Sequence, residues 1–79
     1  MDELTIKAND LGLTAALISR GWELLEMERG ESGRVYFVFE NSPEINRDIQ
    51  WYWDDRLRVP ARRFVEDMKM LKTRIYSGE

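Results

Sequence analysis

Catalysis by a short chain needs groups that shuttle protons, attack, or hold a metal, and the two most versatile side chains for this are absent: there is no His and no Cys. Their absence removes the commonest general base, the thiolate nucleophile and the imidazole or sulfur metal site. Ser19, Ser32, Ser42 and Ser77 have no imidazole to activate them. Carboxylates remain: Asp54-Asp55, Glu66-Asp67, and the group Glu23, Glu26, Glu28 and Glu40. Glycoside hydrolysis needs two carboxylates held at fixed separation, and cation-assisted chemistry needs several converging oxygens. Both need a cleft, which a chain of 79 residues seldom builds alone. Asp54-Asp55 reads more simply as a helix end and turn, and the glutamates as a soluble strand edge. The reading is of a chain without enzymatic activity, cofactor, metal or small-molecule substrate.

Binding chemistry is better represented. Gly30-Glu31-Ser32-Gly33 has the outline of a phosphate clamp, but Glu31 would repel phosphate and the link joins two strand-like runs, so it reads as a hairpin turn. Net charge is −3, yet it is unevenly placed: residues 1–40 balance at −4, while 56–74 hold seven cations against Glu66 and Asp67. The molecule is expected to be dipolar. Arg56, Arg58, Arg62, Lys69 and Arg74 are the candidates for gripping phosphate. Tyr52, Trp53 and Phe64 fall on core stripes, whereas Trp51 lies off its stripe beside Arg47 and Asp48, as an exposed anchor would. No helix-turn-helix cadence and no aromatic sheet motif of an RNA reader is present.

These groups need elements to carry them. Residues 1–9 lack periodicity and read as a loose N-terminal arm, with Leu4 and Ile6 able to add a short strand; residues 10–77 form one domain. Asp10 is a helix N-cap, a helix runs Leu11 to Arg20, and Gly21 is its left-handed stop. That helix is apolar most of the way round, as a buried helix is. Trp22–Glu28 and Arg34–Glu40 read as an antiparallel hairpin. Strict alternation places Val35, Phe37 and Phe39 on one face with Leu25 and Met27, and Tyr36 and Val38 on the other with Trp22 and Leu24. Ser42-Pro43-Glu44 opens a second helix to about Asp54, and Pro60 opens a third to about Tyr76. The expected order is α-β-β-α-α, a small single-domain α+β fold with the hairpin packed against helices.

No apolar run approaches the roughly 20 residues of a membrane span, and Met1-Asp2-Glu3 opens on acid with no apolar stretch behind it. Membrane attachment and a signal peptide are therefore not expected. A cytoplasmic location fits the absence of Cys.

The chain carries Ser-Arg-Gly-Trp-Glu-Leu-Leu (19–25), Gly-Arg-Val-Tyr-Phe-Val-Phe-Glu (33–40), Tyr52-Trp53, Val-Pro-Ala-Arg-Arg-Phe (59–64) and Leu-Lys-Thr-Arg-Ile-Tyr-Ser (71–77). In these stretches it resembles a small family of bacterial and phage-borne domains of unknown function. The likeness spans about residues 9 to 77 and rests on apolar framework and Gly. It implies a bacterial, phage or other mobile-element origin and action inside the cell. It carries no catalytic residues over.

The leading functional expectation is a non-catalytic interaction protein. It would bind a protein partner, or itself as a homodimer, through Trp22, Leu24, Tyr36 and Val38, with Trp51 as a second anchor. The alternative is a nucleic-acid accessory protein using the basic 56–74 segment. A lower alternative has Glu23, Glu26, Glu28, Glu31 and Glu40 imitate a phosphate row and occupy a nucleic-acid-binding protein.

Overall fold

The computed structural model describes residues 4–77. Among them run, in order, β1 (Thr5–Ala8), α1 (Leu11–Arg20), β2 (Leu24–Arg29), β3 (Val35–Glu40), α2 (Pro43–Trp53) and α3 (Ala61–Ser77). The class is α+β, as expected, with one strand more than the hairpin. Thr5–Ala8 is not a loose arm: it pairs antiparallel with β3, opposite the hairpin partner, giving the sheet order β1-β3-β2. The reason is local. The central strand β3 would otherwise leave a row of backbone groups unpaired, and pairing lets Ile6 and Ala8 drop beside Phe39 and Phe37. Residues 1–3 of that arm lie outside the described residues.

The helix ends are built from the predicted caps. The Asp10 carboxylate accepts from Leu13 N–H at 2.9 Å, and Ser42 Oγ from Ile45 N–H at 3.1 Å. Gly21 sits at φ 110°, its N–H donating to Ile18 C=O and that of Trp22 to Leu17 C=O. This double closure reverses the chain in one residue and aims Trp22 back at the core. Gly33, at φ 83°, serves the hairpin turn.

Helix α1 is buried on most of its circumference, with Leu13, Thr14, Ala15, Ala16, Leu17 and Ser19 all buried. It packs against α3, α2 and β1. Leu13, Leu17, Phe37, Phe39, Ile45 and Leu71 join it into a single core. Gly12 lets α2 come close: a Cβ there would stand 2.5 Å from the Tyr52 hydroxyl oxygen. Burial pushes the Tyr52 phenol pKa upward, and the neighbouring Asp10 and Asp55 carboxylates push it further the same way.

The hairpin departs from strict alternation. Leu24 pairs with Phe39 and Glu26 with Val38, so Leu25 is an extra residue in a β-bulge. Upstream of the bulge the side chains change face. Leu24 and Trp22 pack against the core, and Leu25 is turned outward, 46 % exposed. The expectation that Leu25 points inward and Leu24 and Trp22 outward is thus reversed.

Candidate functional site

The outer sheet face cannot serve as the expected apolar surface. Its β3 residues are Tyr36, Val38 and Glu40, flanked by Thr5 and Lys7 of β1 and by Glu26 and Glu28 of β2. Lys7 and Glu28 lie on strands either side of β3 and meet at 2.9 Å, so their ion pair crosses the central strand between Val38 and Tyr36. Val38 is 3 % exposed as a result, and Tyr36 is half-buried. The Glu28 pKa is lowered, first by its hydrogen bond from Lys7. Of the four residues expected on one apolar face, Trp22 and Leu24 therefore lie on the opposite side and Val38 is covered.

Trp22 is held by a buried carboxylate. Asp48 is 1 % exposed and accepts from Trp22 Nε1 at 2.9 Å, from Arg20 Nε at 3.2 Å and Nη2 at 3.3 Å, and from Arg47 Nη2 at 3.5 Å. Burial alone pushes its pKa up, but the hydrogen bonds from Trp22 and Arg20 and the two cations together overcome this and hold it low. The Asp48 oxygens are taken up by these contacts, the indole from inside and the two guanidiniums from the surface side. The work of Asp48 is to lock α1, the start of β2 and α2 around the indole.

Beside that indole opens a cleft of about 360 Å³, lined by Trp22, Glu23, Leu25, Phe39, Glu40, Ser42 and Glu44. The bulge makes it, by turning Leu25 outward just after Trp22 has turned in. Glu23, Glu40 and Glu44 are exposed on its rim, and none of them is ion-paired among the described residues. The positive end of α2 is near, but Ser42 Oγ and the first-turn Glu44 already answer it. Apolar floor and anionic rim are the notable chemistry. No three His, Cys, Asp or Glu groups among the described residues converge well enough to hold a metal ion.

The basic candidates form a second, flatter surface. Arg62, Val65, Lys69, Lys72 and Tyr76 recur at helical spacing on the exposed side of α3, with Tyr76 84 % exposed. Arg56 and Arg58 are exposed in the segment before it. Arg74 does not join them: it is half-buried, on the other flank of the helix. Trp51 is also only half-buried, with the Arg47 guanidinium 4.7 Å from its ring centroid. The exposed indole is instead Trp53, 57 % exposed at the last residue of α2, where no further turn covers it.

A family model described as "Domain of unknown function (DUF5659)" matches residues 3–77. The chain belongs to the DUF5659 family. No curated protein and no solved structure matches it. The family has no assigned function, and the match takes in β1 as well as the hairpin and helices. The features that sequence reasoning missed are Leu25, Ser42 and Glu44 as cleft residues of this DUF5659 domain. Two adjacent Leu, at 24 and 25, break the period of two, but only the pairing of Leu24 with Phe39 decides which of them faces the core. Among the described residues, no helix is long and apolar enough to cross a membrane.

Proposed function

We propose that this domain is a non-catalytic protein-interaction module whose docking surface is the acid-rimmed cleft at the β2 bulge. The observation that supports it is the exposed apolar concavity between Trp22 and Leu25. Burying such surface is favourable by about 25 cal/mol per Å², and interface hot spots sit in apolar pockets ringed by polar groups. Trp22 keeps its place among the interface residues as part of the cleft wall. Leu24, Tyr36 and Val38 give theirs up to Leu25 and the rim. The occupant is a segment of a protein partner; a second copy of the chain is the competing one. The family resemblance carried by the motifs at 19–25 and 59–64 implies a bacterial, phage or mobile-element origin and action inside the cell, and the absence of Cys fits a cytoplasmic location.

Selection of a random-peptide library on the immobilised domain tests this. The expected result is enriched peptides whose binding is lost with Leu25→Ser and retained with Lys69→Glu/Lys72→Glu. Enrichment indifferent to Leu25→Ser would remove the cleft from the proposal. Self-association in sedimentation that Leu25→Ser abolishes would make the occupant the chain itself.

A second reading has its own observation. Arg56, Arg58, Lys69 and Lys72 are exposed, and none lies within ion-pair distance of a carboxylate among the described residues. With the exposed Tyr76 ring they suit a single-stranded nucleic acid, phosphates on the cations and a base on the ring. Neutralising about three to five phosphates gives a log-affinity slope against log salt of roughly −2 to −3.5. Titration of labelled single strands measures it, and no binding at low salt ends this reading.

A further inference from the structure

Resting on the protein-docking reading, we propose that the cleft takes the side chain of an arginine or lysine from an extended partner segment. Shape, floor and charge each argue for it. A long basic side chain is an aliphatic stem ending in a cation, and it is buried best where the stem meets apolar surface and the head stays near water and anions. The cleft has that order: half-buried Trp22 at the wall over the fully buried Phe39, exposed Leu25 at the lip, and Glu23, Glu40 and Glu44 around the opening.

The wall is also prepared in advance. Trp22 Nε1 is already spent on Asp48, so the ring offers an incoming group only its apolar and π surface, in a fixed orientation. The same chain accommodates a guanidinium on an indole 4.7 Å away, at Arg47 and Trp51. The rim carboxylates do not converge as a metal site does, so they form a spread negative field rather than a tight cage. A broad, weakly hydrated head such as guanidinium suits that field better than a small divalent ion. A neutral or acidic segment would find the same floor but would lose the attraction, or meet repulsion, at the rim.

The test is a ¹H–¹⁵N NMR titration of the whole domain with three capped peptides, Gly-Leu-X-Leu-Gly, where X is arginine, citrulline or norleucine. Citrulline keeps the planar head and removes the charge; norleucine keeps the stem alone. The expected result is shifts at the Trp22 indole N–H and the amides of Leu25 and Ser42. Affinity for the arginine peptide should exceed that for citrulline by about tenfold, the range of one charge-assisted contact. The preference should shrink severalfold with Glu40→Gln/Glu44→Gln and with added salt. Equal shifts from all three peptides would overturn the basic-side-chain inference while leaving the docking reading intact. No shift at Trp22 or Leu25 with any of them would overturn both. The Gln substitutions lie at exposed positions, so an unchanged spectrum elsewhere verifies that the fold is kept.

Discussion

The bulged end of β2 and the outward side of α3 carry opposite charge on unlike supports. At the bulge three carboxylates surround a concave apolar floor, and one wall of it is pinned by a buried Asp48. On α3 the exposed cations Arg62, Lys69 and Lys72 stand on a convex helix, with Val65 between them and Tyr76 one turn beyond. Charge is comparable in the two places; shape is not. A concave site with a fixed wall has little ordering to do when a ligand arrives, whereas a convex row of long side chains must lose rotamer freedom to grip anything. Under the two proposed readings, the cleft suits selective, short-range contact and the helix salt-sensitive, long-range attraction.

The largest expected effect separates the two supports. Asp48→Ala removes the acceptor of Trp22 Nε1 and strands Arg20, whose side chain is 32 % exposed and so can still reach water. Breaking a buried pair costs about 3–5 kcal/mol, and the exposure of Arg20 lowers this to about 2–3 kcal/mol. Urea denaturation should show it, together with a change in Trp22 fluorescence. A loss below about 0.5 kcal/mol would mean that Asp48 does not hold the cleft wall.

The same carboxylate gives a pH dependence. Its folded-state pKa lies below the ordinary 3.8, because the Trp22, Arg20 and Arg47 contacts outweigh burial. The unfolded chain therefore takes up the proton first as pH falls. The stability Asp48 contributes is complete above its unfolded pKa and is lost as pH drops below about 4 through the folded value. Asp48→Asn should flatten this part of the acid limb in urea midpoints taken between neutral and acid pH; an unchanged limb would remove Asp48 from the cause.

The smallest effect belongs to the helix. Arg62 is paired with Glu66 at 3.5 Å, but its side chain is 93 % exposed. Arg62→Ala should change stability by no more than about 0.5 kcal/mol, read in the same denaturation experiment. A larger loss would show that α3 is more than a soluble charged surface.

Much of the frame was legible because its signals are local. Asp10, Gly21 and Ser42-Pro43 mark helix ends through their own backbone and side-chain chemistry, and each sits where it was expected. The alternation of Val35, Phe37 and Phe39 likewise survives, because β3 is paired on both sides and has no freedom to slip. The rest depended on distant partners. Thr5–Ala8 is four residues of mixed polarity, and only the open edge of β3 makes it a strand. The bulge at Leu25 is invisible to a period of two, since either leucine could face the core and the register is decided by the pairing of Leu24 with Phe39. That one residue puts Trp22 on the core face and Leu25 outside it, the reverse of strict alternation. Trp51 and Trp53 exchanged roles for a similar reason: the stack of Arg47 shelters the first, and the end of α2 leaves the second bare. The cleft itself joins residues from 22 to 44, and no short motif spans them.

The most direct measurement compares Leu25→Ser with Tyr36→Ser for a peptide selected on the wild-type domain. Both side chains belong to the hairpin, one at the bulge and one beside the Lys7–Glu28 ion pair. Loss of about tenfold or more in affinity with Leu25→Ser, and less than about twofold with Tyr36→Ser, is the expected pattern for a hot spot at the cleft. The reverse pattern, with Tyr36 dominant and Leu25 silent, would contradict it and return the interface to the outer face of the sheet.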